Sequence, residues 1–256
     1  MLDKMTVLTS LLFLLRFGIT LSAVLDLHKR IIGGQDCGPQ QHDYHVKLIG
    51  YDGELVCGGS LISEWWILTS AHCWIWGLKV IVGVHPGPGQ LMIIQEPPQI
   101  YEENNIYHDI MLLKLPKRAV RRTIGIPPLG CTNPGVGAIL ETAGLAAMTT
   151  APQFRRERNE AITLQCGQIT VNGHQYMTQV GDTKYQAHTL TADSNPVDVS
   201  QGDSGGGVEY QDAIYGLNTA ITDGVTAFAG MNFFLDVCQY RDWINNTMIN
   251  YRPLFA

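Results

Sequence analysis

The sequence predicts an all-β protein, folded as closed barrels or sandwiches and divided into two halves. Three observations carry this. Short β-rich runs recur along the chain, turn-forming clusters separate them, and only the last stretch, near residues 240–251, has the spacing of a helix. A Pro- and Gly-rich stretch at 126–137 divides the runs into two sets.

The elements follow in order. Residues 46–49 (V-K-L-I) form a short apolar run. Asp52-Gly53 is a tight-hairpin signal, because glycine takes the positive φ that such turns need, and residues 55–62 read as the return strand. Residues 65–69 and 79–82 read as further strands. His85 to Gln90 (H-P-G-P-G-Q) is a turn cluster, and 110–115 is an apolar run entered from polar residues. Beyond the linker come runs at 138–141, 162–165, 213–217 and 227–234.

At 256 residues, with 45% hydrophobic and 16% charged residues, the chain is long enough for a sizeable core. Its formal charge of −6 argues against nucleic acid as a partner, since such binders are basic. The N-terminus predicts a signal peptide over 1–23. An eleven-residue apolar run, Met5 to Leu15, follows Lys4 and is too short to span a bilayer, and Ser22 and Ala23 offer a cleavage site. Arg16 interrupts the pattern and leaves a retained membrane anchor as the alternative. Removing residues 1–30 takes away Lys4, Arg16, Lys29 and Arg30 with Asp3 and Asp26. It leaves 13 basic and 21 acidic residues, a charge of −8, as expected of a secreted, extracellular, soluble protein. Six cysteines in that context predict disulfides, with 15 pairings open.

The chemistry centres on Gln201 to Gly207, Q-G-D-S-G-G-G. A serine hydroxyl is a weak nucleophile until a base takes its proton, and the attacked carbonyl becomes an oxyanion that needs donors already in place. Glycine lets backbone amides reach such a point, so Gly202 and Ser204 can supply an oxyanion hole. The segment also fits G-x-S-x-G, the turn of hydrolases whose histidine follows the serine, but none of the eight histidines follows Ser204. The base must lie upstream. His72, in T-S-A-H-C, offers an imidazole that titrates near neutrality, and Asp109, where a polar loop enters an apolar run, offers a buried carboxylate to hold it.

Together, C-G-G-S-L-I-S (57–63), L-T-S-A-H-C (68–73), H-D-I-M-L-L-K-L (108–115) and G-D-S-G-G (202–206) resemble the trypsin-like, chymotrypsin-fold serine proteases, over nearly everything from Ile31 onward. The resemblance implies two six-stranded antiparallel β-barrels and a C-terminal α-helix, with halves at about 31–125 and 126–256. It implies a secreted endopeptidase with His72, Asp109 and Ser204 as catalytic triad. It implies a zymogen whose propeptide, 24–30, is cut after Arg30, so that the new ammonium of Ile31 pairs with Asp203 and orders the loop of Gly202 and Ser204. It pairs Cys37 with Cys166, Cys57 with Cys73, and Cys131 with Cys238. Its partners would be protein or peptide substrates, an activating protease and protein protease inhibitors, acting on a monomer without cofactor, metal or calcium site.

Asp198, six residues before Ser204, stands where trypsin-like members carry the carboxylate that selects Arg or Lys in the substrate. The surrounding pocket departs from the family pattern: Thr219 and Ile221 replace one wall, and Asn232 falls near the opposite wall. Ser200, with no cysteine between 205 and 237, stands where one family bridge would begin, and Ala138 and Tyr210 replace both partners of another. These departures motivate the alternative of a catalytically weak homologue that acts as a binding protein. His42 and His45 form H-x-x-H, expected at the surface and not as a metal site, and Asn245-Asn246-Thr247 is a glycosylation sequon at Asn245.

Overall fold

The structure is a computed structural model, and it describes residues 31–147, 150–151, 154–156 and 159–252. The expected signal peptide, the propeptide and Arg30 lie outside the described residues.

Two antiparallel sheets dominate. The first half supplies β2 (His45–Ile49), β3 (Leu55–Ser63), β4 (Trp66–Thr69), β5 (Lys79–Val82), β6 (Gln90–Ile93), β7 (Gln99–Glu103) and β8 (Ile106–Lys114). They pair in the order β6-β5-β2-β3-β4-β8-β7. The second sheet is built from β9 (Ile139–Ala147), β12 (Asn159–Thr170), β13 (Gly173–Met177), β14 (Ala187–Asp193), β15 (Gly207–Tyr210), β16 (Ala213–Ile221) and β17 (Met231–Asp236), joined by the two-residue β1 (Gln35–Asp36). Its order is β1-β12-β9-β15-β16-β17-β14-β13. A small hairpin, β10 (Thr150–Ala151) and β11 (Arg155–Arg156), stands apart between β9 and β12. The helix α1 (Arg241–Asn250) ends the fold, where the sequence places it.

Among the described residues the two sheets hold seven and eight strands, and they exceed six each for local reasons. Glu96-Pro97-Pro98 follows β6, and proline carries no amide donor for the ladder, so the chain leaves the sheet before β7. β1 adds a strand to the second sheet from the start of the chain, pairing Gln35 with Cys166 and Asp36 with Gln165. Residues 31–36 therefore dock on the second half, although in sequence they precede the first.

Burial explains why the expected runs become strands. Ile110, Met111, Leu112 and Leu113 on β8 are all fully buried, between β4 on one side and β7 on the other. Each such side chain stabilises the fold by about 1.5–3 kcal/mol through the apolar area removed from water. The run at 227–234 begins later than expected. Residues 227–230 precede the strand, with Phe228 and Gly230 at φ of +59° and +134°, and β17 starts only at Met231.

The halves are tied at several points. Gly125 bridges Ala213, His108 bridges Gln186, and the Gly58 amide donates to the Ser204 carbonyl at 2.8 Å. Disulfides link Cys37 to Cys166, Cys57 to Cys73, and Cys131 to Cys238. Ala138 and Tyr210, where the resemblance implies a missing bridge, both pack against one apolar core.

Candidate active site

β4 ends at Thr69, and a single 3-10 turn, Ala71–Cys73, follows. The Cys57–Cys73 disulfide pins that turn back to β3. His72 is thereby held over β8, where Asp109 is fully buried. The His72 ring nitrogen Nδ1 lies 2.8 Å from Asp109 Oδ2 and 3.0 Å from Oδ1, and the His72 amide donates to Oδ1 at 2.9 Å. The Asp109 amide donates to the Gln186 carbonyl at 2.8 Å, which fixes the strand against the second half. Burial disfavours the charged form of His72, but the hydrogen bond and the charge of Asp109 outweigh it, and the imidazole pKa is raised.

Ser204 lies in the turn at 201–205 and shares one cleft with His72. Gly202 sits at φ +102°, a conformation that side chains rarely adopt. Gly205, at φ +75°, lets the turn approach the first half. A Cβ there would lie 2.1 Å from Thr69 Oγ1 and 2.7 Å from the Gly58 carbonyl. Asn218 braces the same turn: its Nδ2 donates to the Asp203 carbonyl at 3.1 Å, and its own carbonyl accepts from the Gly205 amide at 2.7 Å. Nothing in the sequence marked Asn218, because its role is set by the pairing of β16.

Asp203 is fully buried and does not line the cleft. Its Oδ1 accepts from the Ala146 amide at 2.9 Å and its Oδ2 from the Ser200 amide at 3.0 Å. Burial pushes its carboxyl up to about 7, with those two amides working the other way. Ile31, in peptide linkage in this intact chain, is also fully buried, among Leu140, Ile169 and Val197. Ile32 exchanges backbone hydrogen bonds with Asp198 at 3.1 and 2.9 Å.

The cleft beside Ser204 is walled by Val180, Val199, Thr219, Ala220 and Ile221, with Ser200 and Gln201 among its polar groups. Two of the expected pocket residues lie elsewhere. Asn232 is spent on backbone: its Nδ2 donates to the Val197 carbonyl at 2.9 Å, and its Oδ1 accepts from the Val199 amide at 3.4 Å. Asp198 is fully buried behind the cleft, and a guanidinium of this same chain, that of Arg156, is already on it. Sequence reasoning missed Arg156, since one basic residue in a polar stretch carries no signal of its own.

His42 and His45 correct an expectation. Both are buried, at 2% and 1% exposure, and not at the surface. His42 hydrogen-bonds Glu141 at 2.9 Å and the Tyr44 hydroxyl at 2.7 Å, so its polarity is satisfied inside. Burial lowers the His45 pKa to about 3, which keeps it neutral. Asn245, the sequon residue, lies partly exposed in the middle of α1.

Two antiparallel β sheets, with a histidine–aspartate pair from one and a glycine-flanked serine from the other on a shared cleft, define a chymotrypsin-fold serine protease. The chain matches the Trypsin family model over residues 31–244 and belongs to that family. It is 28% identical to trypsin-1 of Salmo salar over 259 residues, covering 94% of this chain and 99% of that protein. It is 29% identical to kallikrein-8 of Rattus norvegicus over 239 residues, covering 86% of each. Among solved structures it resembles neuropsin, a serine protease expressed in the limbic system of mouse brain, with a TM-score of 0.68 and 25% identity, covering 84% of this chain and 98% of that one. Among the described residues no helix is long and apolar enough to cross a membrane.

Proposed function

We propose that this chain is a secreted serine endopeptidase, made as a zymogen, that hydrolyses peptide bonds through Ser204, His72 and Asp109. The observation that carries the proposal is the hydrogen-bonded His72–Asp109 pair facing the cleft that Ser204 shares. With Nδ1 on the carboxylate, the other ring nitrogen is left as the base. It takes the Ser204 proton as the hydroxyl oxygen attacks the substrate carbonyl, and it returns that proton to the departing amine. Water then repeats the sequence on the acyl-enzyme and releases the acid. The Gly202 and Ser204 amides receive the oxyanion. Asp109 holds the ring in place and stabilises the imidazolium.

The zymogen part rests on the buried Asp203 carboxyl and the dibasic Lys29-Arg30 before Ile31. Cleavage after Arg30 would free an ammonium for which Asp203 is the internal counter-ion, since a buried charge without a partner is strongly disfavoured. Cleavage after Arg or Lys in substrates, the expectation attached to Asp198, meets the difficulty that Asp198 is already paired.

The alternative, a binding protein on a protease scaffold, is favoured only by the altered pocket walls at Thr219 and Ile221. A fluorophosphonate probe separates the two. Chain cleaved after Arg30 should be labelled covalently at Ser204, and Ser204→Ala should not be. Absence of label on the cleaved wild type would favour the binding protein.

A further inference from the structure

The Arg156–Asp198 pair is the least expected feature of the molecule. Arg156 lies on β11, and its backbone is fixed first: its amide donates to the Val225 carbonyl at 2.8 Å, and its neighbour Arg155 bridges Thr226. From there the side chain turns inward and is 3% exposed. One terminal nitrogen lies 2.5 Å from Asp198 Oδ2. The other donates to the Val199 carbonyl at 2.9 Å and to Ser200 Oγ at 3.1 Å. The Phe228 amide donates to the same Asp198 oxygen at 2.8 Å. Arg156 thus joins three successive residues, 198–200, held by its guanidinium, to Val225, held by its backbone amide. Ser200, where a covalent bridge is missing, is one of its anchors.

The consequence concerns substrate recognition, and it rests on the serine-protease reading of the same cleft. A carboxylate selects a basic substrate side chain because only a cation offsets its burial. Here Arg156 already supplies that cation. A second one reaching Asp198 would sit against the Arg156 guanidinium in a water-poor interior, where like charges repel strongly. Neither Arg156 nor Asp198 lines the cleft; most of its exposed surface is apolar, with Val180, Val199, Ala220 and Ile221 among its walls, and among the described residues the one carboxylate that lines it is Asp182. We infer that Arg156 is a specificity-determining residue: by occupying Asp198 it closes the primary pocket to Arg and Lys and leaves it to uncharged, apolar side chains of modest size.

The test uses the full chain, with residues before Ile31 replaced by an enteropeptidase site so that no trypsin is added. Two measurements are made on wild type, Arg156→Ala and Arg156→Gln. The first is binding of benzamidine, a planar cation shaped like the end of arginine, by calorimetry in a Ser204→Ala background. It reads the pocket whether or not the chain is catalytic. The second is kcat/KM on peptides that differ only in the residue before the scissile bond, with fluorophosphonate labelling as the separate check of activity.

The expected result is no saturable benzamidine binding to wild type up to millimolar concentration, and a gain of at least tenfold in affinity when the Arg156 charge is removed. In the active chains, Arg and Lys peptides should be at least tenfold poorer than Ala, Val or Leu peptides for wild type, and the variants should shift toward Arg and Lys. Tight benzamidine binding by wild type, or its preference for Arg and Lys peptides, would overturn the inference. So would folded variants, with unchanged melting curves, that gain nothing for the cation. Failure of labelling with the expected benzamidine pattern would instead count against the enzymatic reading and leave the pocket assignment standing.

Discussion

Asp109 acts on the His72 ring through a side-chain hydrogen bond and a charge, and the net effect is a raised imidazole pKa despite burial. The sign of the pH dependence follows. In the proposed mechanism the neutral ring is the base, so activity should be full above the raised pKa and fall as pH drops through it. The acid limb of kcat/KM should therefore lie above the ordinary histidine value of about 6.5. Asp109→Asn removes both contributions that raise the pKa and leaves burial, which lowers it. The variant should lose on the order of 10⁴-fold in kcat, as the wrong tautomer is then favoured. Its residual acid limb should move to lower pH. A limb that stays in place would mean that Asp109 does not control the ring, and a profile flat down to pH 4 would remove His72 as the base.

At the scale of elements, the site depends on how closely the 201–205 turn comes to β3 and the end of β4. Gly205 is the residue that permits it. Gly205→Ala would force a Cβ into Thr69 Oγ1 and the Gly58 carbonyl at a positive φ. The strain alone is about 1–2 kcal/mol, and separating the halves by 1 Å at a catalytic group costs about 10²-fold in rate. We expect a lower melting temperature together with at least that loss of activity. Unchanged kinetics would show that the turn is not held by this approach.

Much of this scale was legible in the sequence, because buried strands advertise themselves as apolar runs bounded by turns. β5 (Lys79–Val82) lies on the expected residues, and β8 (Ile106–Lys114) overlaps its run closely. β13 (Gly173–Met177), G-H-Q-Y-M, was not legible, since an exposed edge strand needs no apolar pattern. The 227–234 run was placed too early because local composition does not reveal the positive φ at Phe228 and Gly230. For the site, His72, Asp109 and Ser204 stood out because their flanking motifs are specific. Arg156 did not, because its partner is 42 residues away and is fixed only by the fold.

At the scale of the whole molecule, burial in the intact chain shifts the ionisation of Asp203. Its carboxyl, raised to about 7 from an ordinary value of 3.8, favours the neutral form in the fold. A raised folded pKa contributes stability that is fully present below the unfolded value and lost as pH rises through the folded one. The uncleaved chain should thus lose stability between about pH 4 and pH 7 on account of this group. Thermal melts across that range should show it, and Asp203→Asn should flatten the dependence. After cleavage an Ile31 ammonium at Asp203 would hold the carboxylate ionised, and the same pH window would no longer destabilise the protein. An identical slope in Asp203→Asn would assign the effect to other groups.

The most direct test of the central claim is the initial rate of casein hydrolysis by one preparation before and after cleavage immediately ahead of Ile31, using immobilised enteropeptidase on the substituted chain and Ser204→Ala as control. Activity should be near background in the intact chain, rise steeply in step with the new Ile31 terminus, and stay at background in Ser204→Ala. Equal rates before and after cleavage, or a rise that the serine variant shares, would contradict a zymogen switched on through Ile31 and acting through Ser204.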